Sequence, residues 1–236
     1  MRHLSRMSAP HWLALYAGLL LAWGAVWAMA VPGDFGSVLR DLCLTPAAQA
    51  GLPGLVAMWL IMSSAMMLPT AIPAFATHDT IADTQGLDGG GRLVAGYSVI
   101  WIGFSVVAAG VQLATASLGV LEAHWLAPVL LIAAGGYQFS ALKEACLSKC
   151  RQPLTFMMQY WDEGPWRMGL RLGATCLGCC WALMALGLIG GTMSLGFMAL
   201  ATVLMTLEKL TRGTFVPSAI GLGCLAGAGF LIGGYL

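Results

Sequence analysis

Seven stretches of the sequence are apolar over about the length that a helix needs to cross a lipid bilayer, roughly 20 residues. They cover residues 11–31, 53–77, 93–118, 125–142, 166–189, 192–207 and 215–236, with polar or Gly/Pro breaks between them. The sixth is the shortest. The composition leaves little room for any other class. Of 236 residues, 59% are hydrophobic and 9% charged, with a mean hydropathy of +0.82, whereas a soluble domain carries about a quarter charged residues. The 31 glycines suit helices that must approach closely where lipid gives no hydrophobic drive to associate. The expectation is an all-α, polytopic transmembrane helix bundle of about seven helices, forming a single domain over residues 1–236. A formal net charge of +1 provides no basic field for nucleic acid, so the bilayer is the expected partner.

The opening MRHLSRMSAPHW has the basic character of a signal-peptide start. Its apolar run continues to Pro32 without an A-x-A cleavage pattern, which predicts a retained first helix. Orientation follows from lysine and arginine, which stay on the cytoplasmic side of short loops. With the N-terminus inside, Arg2, Arg6, Arg92, Lys143, Lys149, Arg151, Arg167, Arg171, Lys209 and Arg212 share one side and only Arg40 lies on the other. That distribution predicts N-in, C-out insertion.

Cysteine placement carries the chemistry. Cys43 and Cys224 stand alone and read as small hydrophobes. Cys146 and Cys150 form C-x-x-x-C after the fourth stretch, and Cys176, Cys179 and Cys180 form C-x-x-C-C inside the fifth. On a helix, residues three and four apart share a face, so Cys176 lies beside Cys179 and Cys180, with Met184 one turn beyond Cys180. Counting about 1.5 Å per residue from Trp166 puts Cys176 roughly 15 Å along its helix, at mid-bilayer depth. Thiols tolerate that depth far better than carboxylates or ammonium groups, and Cys with Met selects soft ions such as copper(I) over magnesium or calcium. The bland alternative is that these cysteines fill gaps in a packed helix.

MWLIMSSAMMLPTAIP adds Met58, Met62 and Met66 at successive i, i+4 steps with Met67 beside them, and Pro69 and Pro73 to bend the helix and free carbonyls. Met193, Met198 and Met205 form a weaker stripe. Gln138 and Tyr137, just before Lys143 and Cys146, are placed to support the cysteines. Glu208 and Lys209 are expected at the cytoplasmic end of the sixth stretch, Lys209 snorkelling to the interface and Glu208 pairing with Arg167, Arg171 or Arg212. His78 beside Asp79, and His124 beside Glu122, read as solvated interface histidines. No H-E-x-x-H, G-x-S-x-G, paired carboxylates or Rossmann glycines occur, so no enzymatic machinery is expected.

Taken together, MWLIMSSAMMLPTAIP, YQFSALKEACLSKCRQPLTF, CLGCCWALM and LMTLEKL resemble a bacterial integral membrane family described as predicted metal-binding, a domain of unknown function. The resemblance spans residues 58–209. It implies Cys146, Cys150, Cys176, Cys179 and Cys180 as the characteristic positions, with Met66, Met67 and Glu208 beside them. Three functions are consistent with the residues. The first is binding, handover or translocation of a soft metal, copper(I) foremost, through a site of these cysteines with Met66, Met67 and Met184, supported by Gln138 and Glu208; a metal chaperone would be the partner. The second is a structural or assembly subunit of a larger membrane complex with partner membrane subunits. The third is thiol redox cycling, which a thiol far from water disfavours.

Overall fold

A computed structural model describes residues 10–30, 47–119, 124–188 and 195–235. Among them every regular element is helical. Helix α1 covers Pro10–Ala30, α2 Ala47–Thr84, α3 Gly90–Ser117, α4 Leu126–Tyr137, α5 Ala141–Arg151, α6 Pro153–Tyr160, α7 Gly164–Ala185, α8 Leu195–Leu210 and α9 Phe215–Tyr235, with 3-10 turns at Trp161–Glu163 and Leu186–Leu188. Arg2, Arg6, Arg40, Cys43, Glu122 and Met193 lie outside the described residues.

Among the described residues, five segments are long and apolar enough to cross a membrane: Pro10–Ala28, Gln49–Thr84, Gly90–Ser117, Pro153–Leu188 and Phe215–Gly234. A sixth arises if α4 and α5, bent by 63° from one another, count as one broken span. Two expectations are corrected here. The stretch 125–142 is not a single helix, because Ser140 takes an extended conformation and its Oγ accepts the Lys143 backbone N–H at 3.2 Å. That contact caps a new helix, so α4 stops and α5 departs in a different direction. The connection 143–165, read as a loop, is therefore mostly helix: α5, then α6, then a 3-10 turn closed by Gly164 at φ 78, a conformation that favours glycine. The last helical stretch before Arg212, α8, is 16 residues long and continues beyond Leu207 to Leu210.

Helix α2 is held by hydrogen bonds from α1 and α3. Pro69 has no N–H to offer the Ala65 carbonyl four residues earlier, and Trp23 Nε1 of α1 donates to that carbonyl at 2.8 Å. Towards α3, Trp59 Nε1 donates to Gln112 Oε1 at 2.7 Å and the Ser63 and Ser105 hydroxyls meet at 3.3 Å. Buried polar pairs of this kind join apolar helices where packing alone gives little specificity. The Met58, Met62 and Met66 face and Met67 are buried in the same core.

The closest crossing is that of α3 with α7. A methyl placed on Gly96 would collide with the Trp166 carbonyl, and one on Gly169 with the Leu93 carbonyl. One turn on, a methyl at Gly173 would lie 2.9 Å from the Ile100 side chain. The two backbones therefore touch, and the contact sets the height of Tyr97 on α3 against Cys176 on α7. Helices α4 and α9 cross in the same manner at Gly135 and Gly221, where an added methyl on Gly135 would be 3.0 Å from the Gly221 carbonyl oxygen.

Gly169→Val is expected to destabilise the chain by about 3 kcal/mol, at the upper end of overpacking costs, because the obstructing atoms are backbone and cannot rotate away. Chemical denaturation of the purified protein followed by circular dichroism measures this, with Gly229→Val, whose position faces open space, as the insensitive control.

Candidate metal centre

The site is built on α7. Pro165, just inside its start, suits the first turn, where a missing N–H costs nothing. Three turns later the C-x-x-C-C spacing turns Cys176, Cys179 and Cys180 into the core, each no more than 2% exposed. Their sulfurs all lie within 4.8 Å of one another. Cys179 Sγ is 3.1 Å from Cys180 Sγ and donates to the Cys176 carbonyl at 3.1 Å.

Helix α5 brings a fourth sulfur. Cys150 Sγ stands 4.0 Å from Cys179 Sγ. Cys146, one turn earlier on α5, is partly buried and rests on Gly178, where a methyl would sit 2.6 Å from its Sγ. The Tyr137 hydroxyl donates to the Gly178 carbonyl on the same side. Helix α5 thus lays its C-x-x-x-C face along the thiol face of α7.

Cys176 has polar neighbours that the sequence reading did not assign to it. Lys209 Nζ, from α8, donates to Cys176 Sγ at 3.1 Å and to Thr70 Oγ1 of α2 at 2.6 Å. The Tyr97 hydroxyl lies 3.3 Å from Cys176 Sγ and 3.2 Å from the Met67 carbonyl oxygen. Lys209 therefore does not snorkel to an interface: α8 carries it inward, where thiol and hydroxyl oxygen replace water. Glu208 is likewise corrected. It pairs with none of Arg167, Arg171 and Arg212. Both its carboxylate oxygens take Lys143 Nζ at 2.9 Å, with both side chains 1% exposed, and its carbonyl accepts Arg151 Nε at 2.8 Å. Arg171 instead pairs with Glu163 at 2.6 Å.

The remaining expected residues divide. Met66, Met67 and Met184 are fully buried in the core that holds the thiols. Gln138 is buried against Gly221 of α9 with both amide atoms lacking a hydrogen-bond partner, and so makes no hydrogen bond to the cysteines. Cys224 on α9 lines an apolar groove with Leu131 and Phe215, away from the thiol cluster. His78 is buried and bonded to Asp79 at 3.1 Å, not solvated, because Asp79 also collects His11 Nε2 at 2.8 Å and Trp12 Nε1 at 2.7 Å from α1.

The donor set suits a soft monovalent ion. Metal–thiolate bonds of about 2.3 Å place two sulfurs about 4.0 Å apart in trigonal and about 4.6 Å apart in linear coordination. The Cys150–Cys179 separation of 4.0 Å matches the trigonal span, the 3.1 Å between Cys179 and Cys180 is shorter than either, and the cluster contains no carboxylate or imidazole. Thiols without hard oxygen donors favour copper(I). The arrangement is a buried thiol centre in an all-helical chain. The sequence profile of the PpoB2 family, described as a copper chaperone, matches residues 56–232, and the chain belongs to that family. No curated protein and no solved structure matches the chain. Family and thiol cluster together fit a metal-binding domain.

Glu208→Gln leaves the Lys143 ammonium buried without its counter-ion and is expected to cost about 3–5 kcal/mol, read as a lower denaturation midpoint. The double change Lys143→Met with Glu208→Met removes both charges and should recover most of that loss.

Proposed function

We propose that the chain is an integral membrane copper chaperone that holds copper(I) as cargo on Cys150, Cys176, Cys179 and Cys180 and passes it to an acceptor protein. The observation that carries this reading is the convergence of four sulfurs from two helices in a core that also supplies one ammonium group. With two of the four cysteines ionised and two kept as thiols, bound copper(I) has a net charge of −1, which Lys209 balances at 3.1 Å from Cys176, so loading leaves no uncompensated charge in an apolar interior. The Tyr97 hydroxyl orients Cys176 from the other side. Met184, one turn past Cys180, and Met66 and Met67 on α2 supply thioethers of the same softness. Glu208 acts at a distance, by holding α5 through Lys143, and Gln138 belongs to the α4–α9 contact.

The same reading sets the protein in a bacterial cytoplasmic membrane with the N-terminus inside and the C-terminus outside. The support is the hydropathy of the helices and the one-sided distribution of lysine and arginine. Seven spans require α8 to cross as a short helix and the α4–α5 pair to act as one broken span. No covalent chemistry is part of the function: the residues bind, orient and release.

Purified protein reduced and loaded with copper(I) should retain about one ion per chain, the content expected of a single soft-ligand site. Cys176→Ser, Cys179→Ser and Cys180→Ser combined should retain none while the circular dichroism spectrum stays helical. Absence of copper from the wild-type chain under these conditions would refute the reading. Lys209→Met should weaken copper(I) about 10–100-fold, the size of effect seen when a group orienting a metal ligand is lost. Competition with a chromophoric copper(I) chelator measures it.

A further inference from the structure

Three of the four sulfurs of the centre are shut off from solvent, since Cys176, Cys179 and Cys180 are at most 2% exposed, whereas Cys150 is partly exposed. An acceptor protein or chelator cannot reach an ion held on those three. Cys146 differs from the α7 trio in three respects. It is partly exposed, as Cys150 is. It sits one helical turn from Cys150, which places their β-carbons about 6 Å apart on one face of α5. Its sulfur also occupies the space that the missing side chain of Gly178 leaves open on α7, so it reaches the thiol helix without entering the trio. The sulfurs thus run from two partly exposed cysteines on α5, Cys146 and Cys150, to Cys179 at 4.0 Å from Cys150 and on to Cys180 at 3.1 Å from Cys179.

We infer that Cys146 is the transfer ligand of this protein, a thiol that does not hold resident copper but receives it from Cys150 and presents it at the surface to an acceptor thiolate; this rests on the chaperone reading above. Each step is a ligand exchange. A bond forms from copper(I) to the incoming sulfur as the bond to the outgoing sulfur breaks, and the proton lost by the incoming thiol is taken up by the departing thiolate, since only thiolates ligate. Copper stays monovalent throughout and no oxidant or reductant is consumed. The partly exposed position, which Cys146 shares with Cys150, supplies what the buried trio lacks, a ligand that a second protein can touch. Gly178 has a defined part as well. Any side chain there would drive Cys146 off α7, and the Tyr137 hydroxyl on the Gly178 carbonyl holds that stretch of backbone in place.

The test is a release experiment on the full-length, copper(I)-loaded protein in detergent. Bathocuproine disulfonate serves as probe because its sulfonates keep it out of an apolar core and it absorbs visibly when bound to copper(I). The Cys146→Ser chain should keep the wild-type copper content and release it about ten-fold or more slowly. Cys146→Met, which restores a soft ligand, should recover most of the rate, and Gly178→Val should slow release with Cys146 intact. Cys150→Ser should instead lower the copper retained. Release from Cys146→Ser at the wild-type rate overturns the inference, and so does loss of copper from that chain, which would make Cys146 a resident ligand. If Cys146→Ser does not fold, Cys146→Ala is read by the same two criteria. A wild-type chain that retains no copper overturns the chaperone reading itself, an outcome separate from both.

Discussion

The ion pair between Lys143 and Glu208 is the contact on which the centre depends. Both side chains are 1% exposed, and the two nitrogen–oxygen distances are equal at 2.9 Å. Burying two charges is costly unless they satisfy one another, so the pair tolerates little displacement. It joins the first turn of α5 to the last turn of α8, and Arg151 adds a bond from the end of α5 to the Glu208 carbonyl. With both ends of α5 fastened to one residue, Cys150 is fixed above Cys179. The next residue on α8, Lys209, is aimed at Cys176 by the same anchoring. One carboxylate therefore positions a sulfur ligand through α5 and a counter-charge through α8.

The second constraint is the glycine crossing of α3 and α7. Backbone contact at Gly96 and Gly169 leaves room for neither helix to shift, and the adjoining Tyr97 consequently meets Cys176. The centre is thus enclosed by five helices, each contributing one kind of group: thiols from α7 and α5, an ammonium from α8, hydroxyls from α2 and α3. Thiols are suited to such an interior because they cost little to bury while neutral and gain strongly once a soft cation arrives.

Much of this was legible in the residues. Hydropathy marked out the helical class, and the C-x-x-C-C spacing on a 3.6-residue repeat brought Cys176, Cys179 and Cys180 to one face. Pro69 announced a free carbonyl in α2, although not that Trp23 would take it. Other features had local signals that apolar counting hides. Ser140 as a cap residue with Glu144 in the first turn is a helix-start pattern, and it divides what hydropathy joins into one span. Gly169 and Gly173, four apart on α7, mark a close-packing face. The sequence reading missed Lys209 and Tyr97 as neighbours of Cys176, and Thr70 as the second acceptor of Lys209. A Glu-Lys pair in the apolar segment LMTLEKL is expensive at depth, and that expense was a signal that both charges have partners inside.

Sequence alone determined the properties that depend on residues close together in the chain: an all-helical chain, long apolar segments, one face carrying three thiols, and cysteine and methionine chemistry suited to a soft ion. Helical periodicity and side-chain chemistry are local, so they can be read without a fold. Tertiary structure alone decided that Cys150 reaches Cys179 while Cys146 stays at the edge, that Glu208 takes Lys143 and not an arginine, and that Lys209 turns inward to Cys176. Those pairings join residues between 29 and 65 positions apart. They follow from where α5 and α8 cross α7, and crossing positions are set by which glycines let backbones touch and which buried charges must find one another.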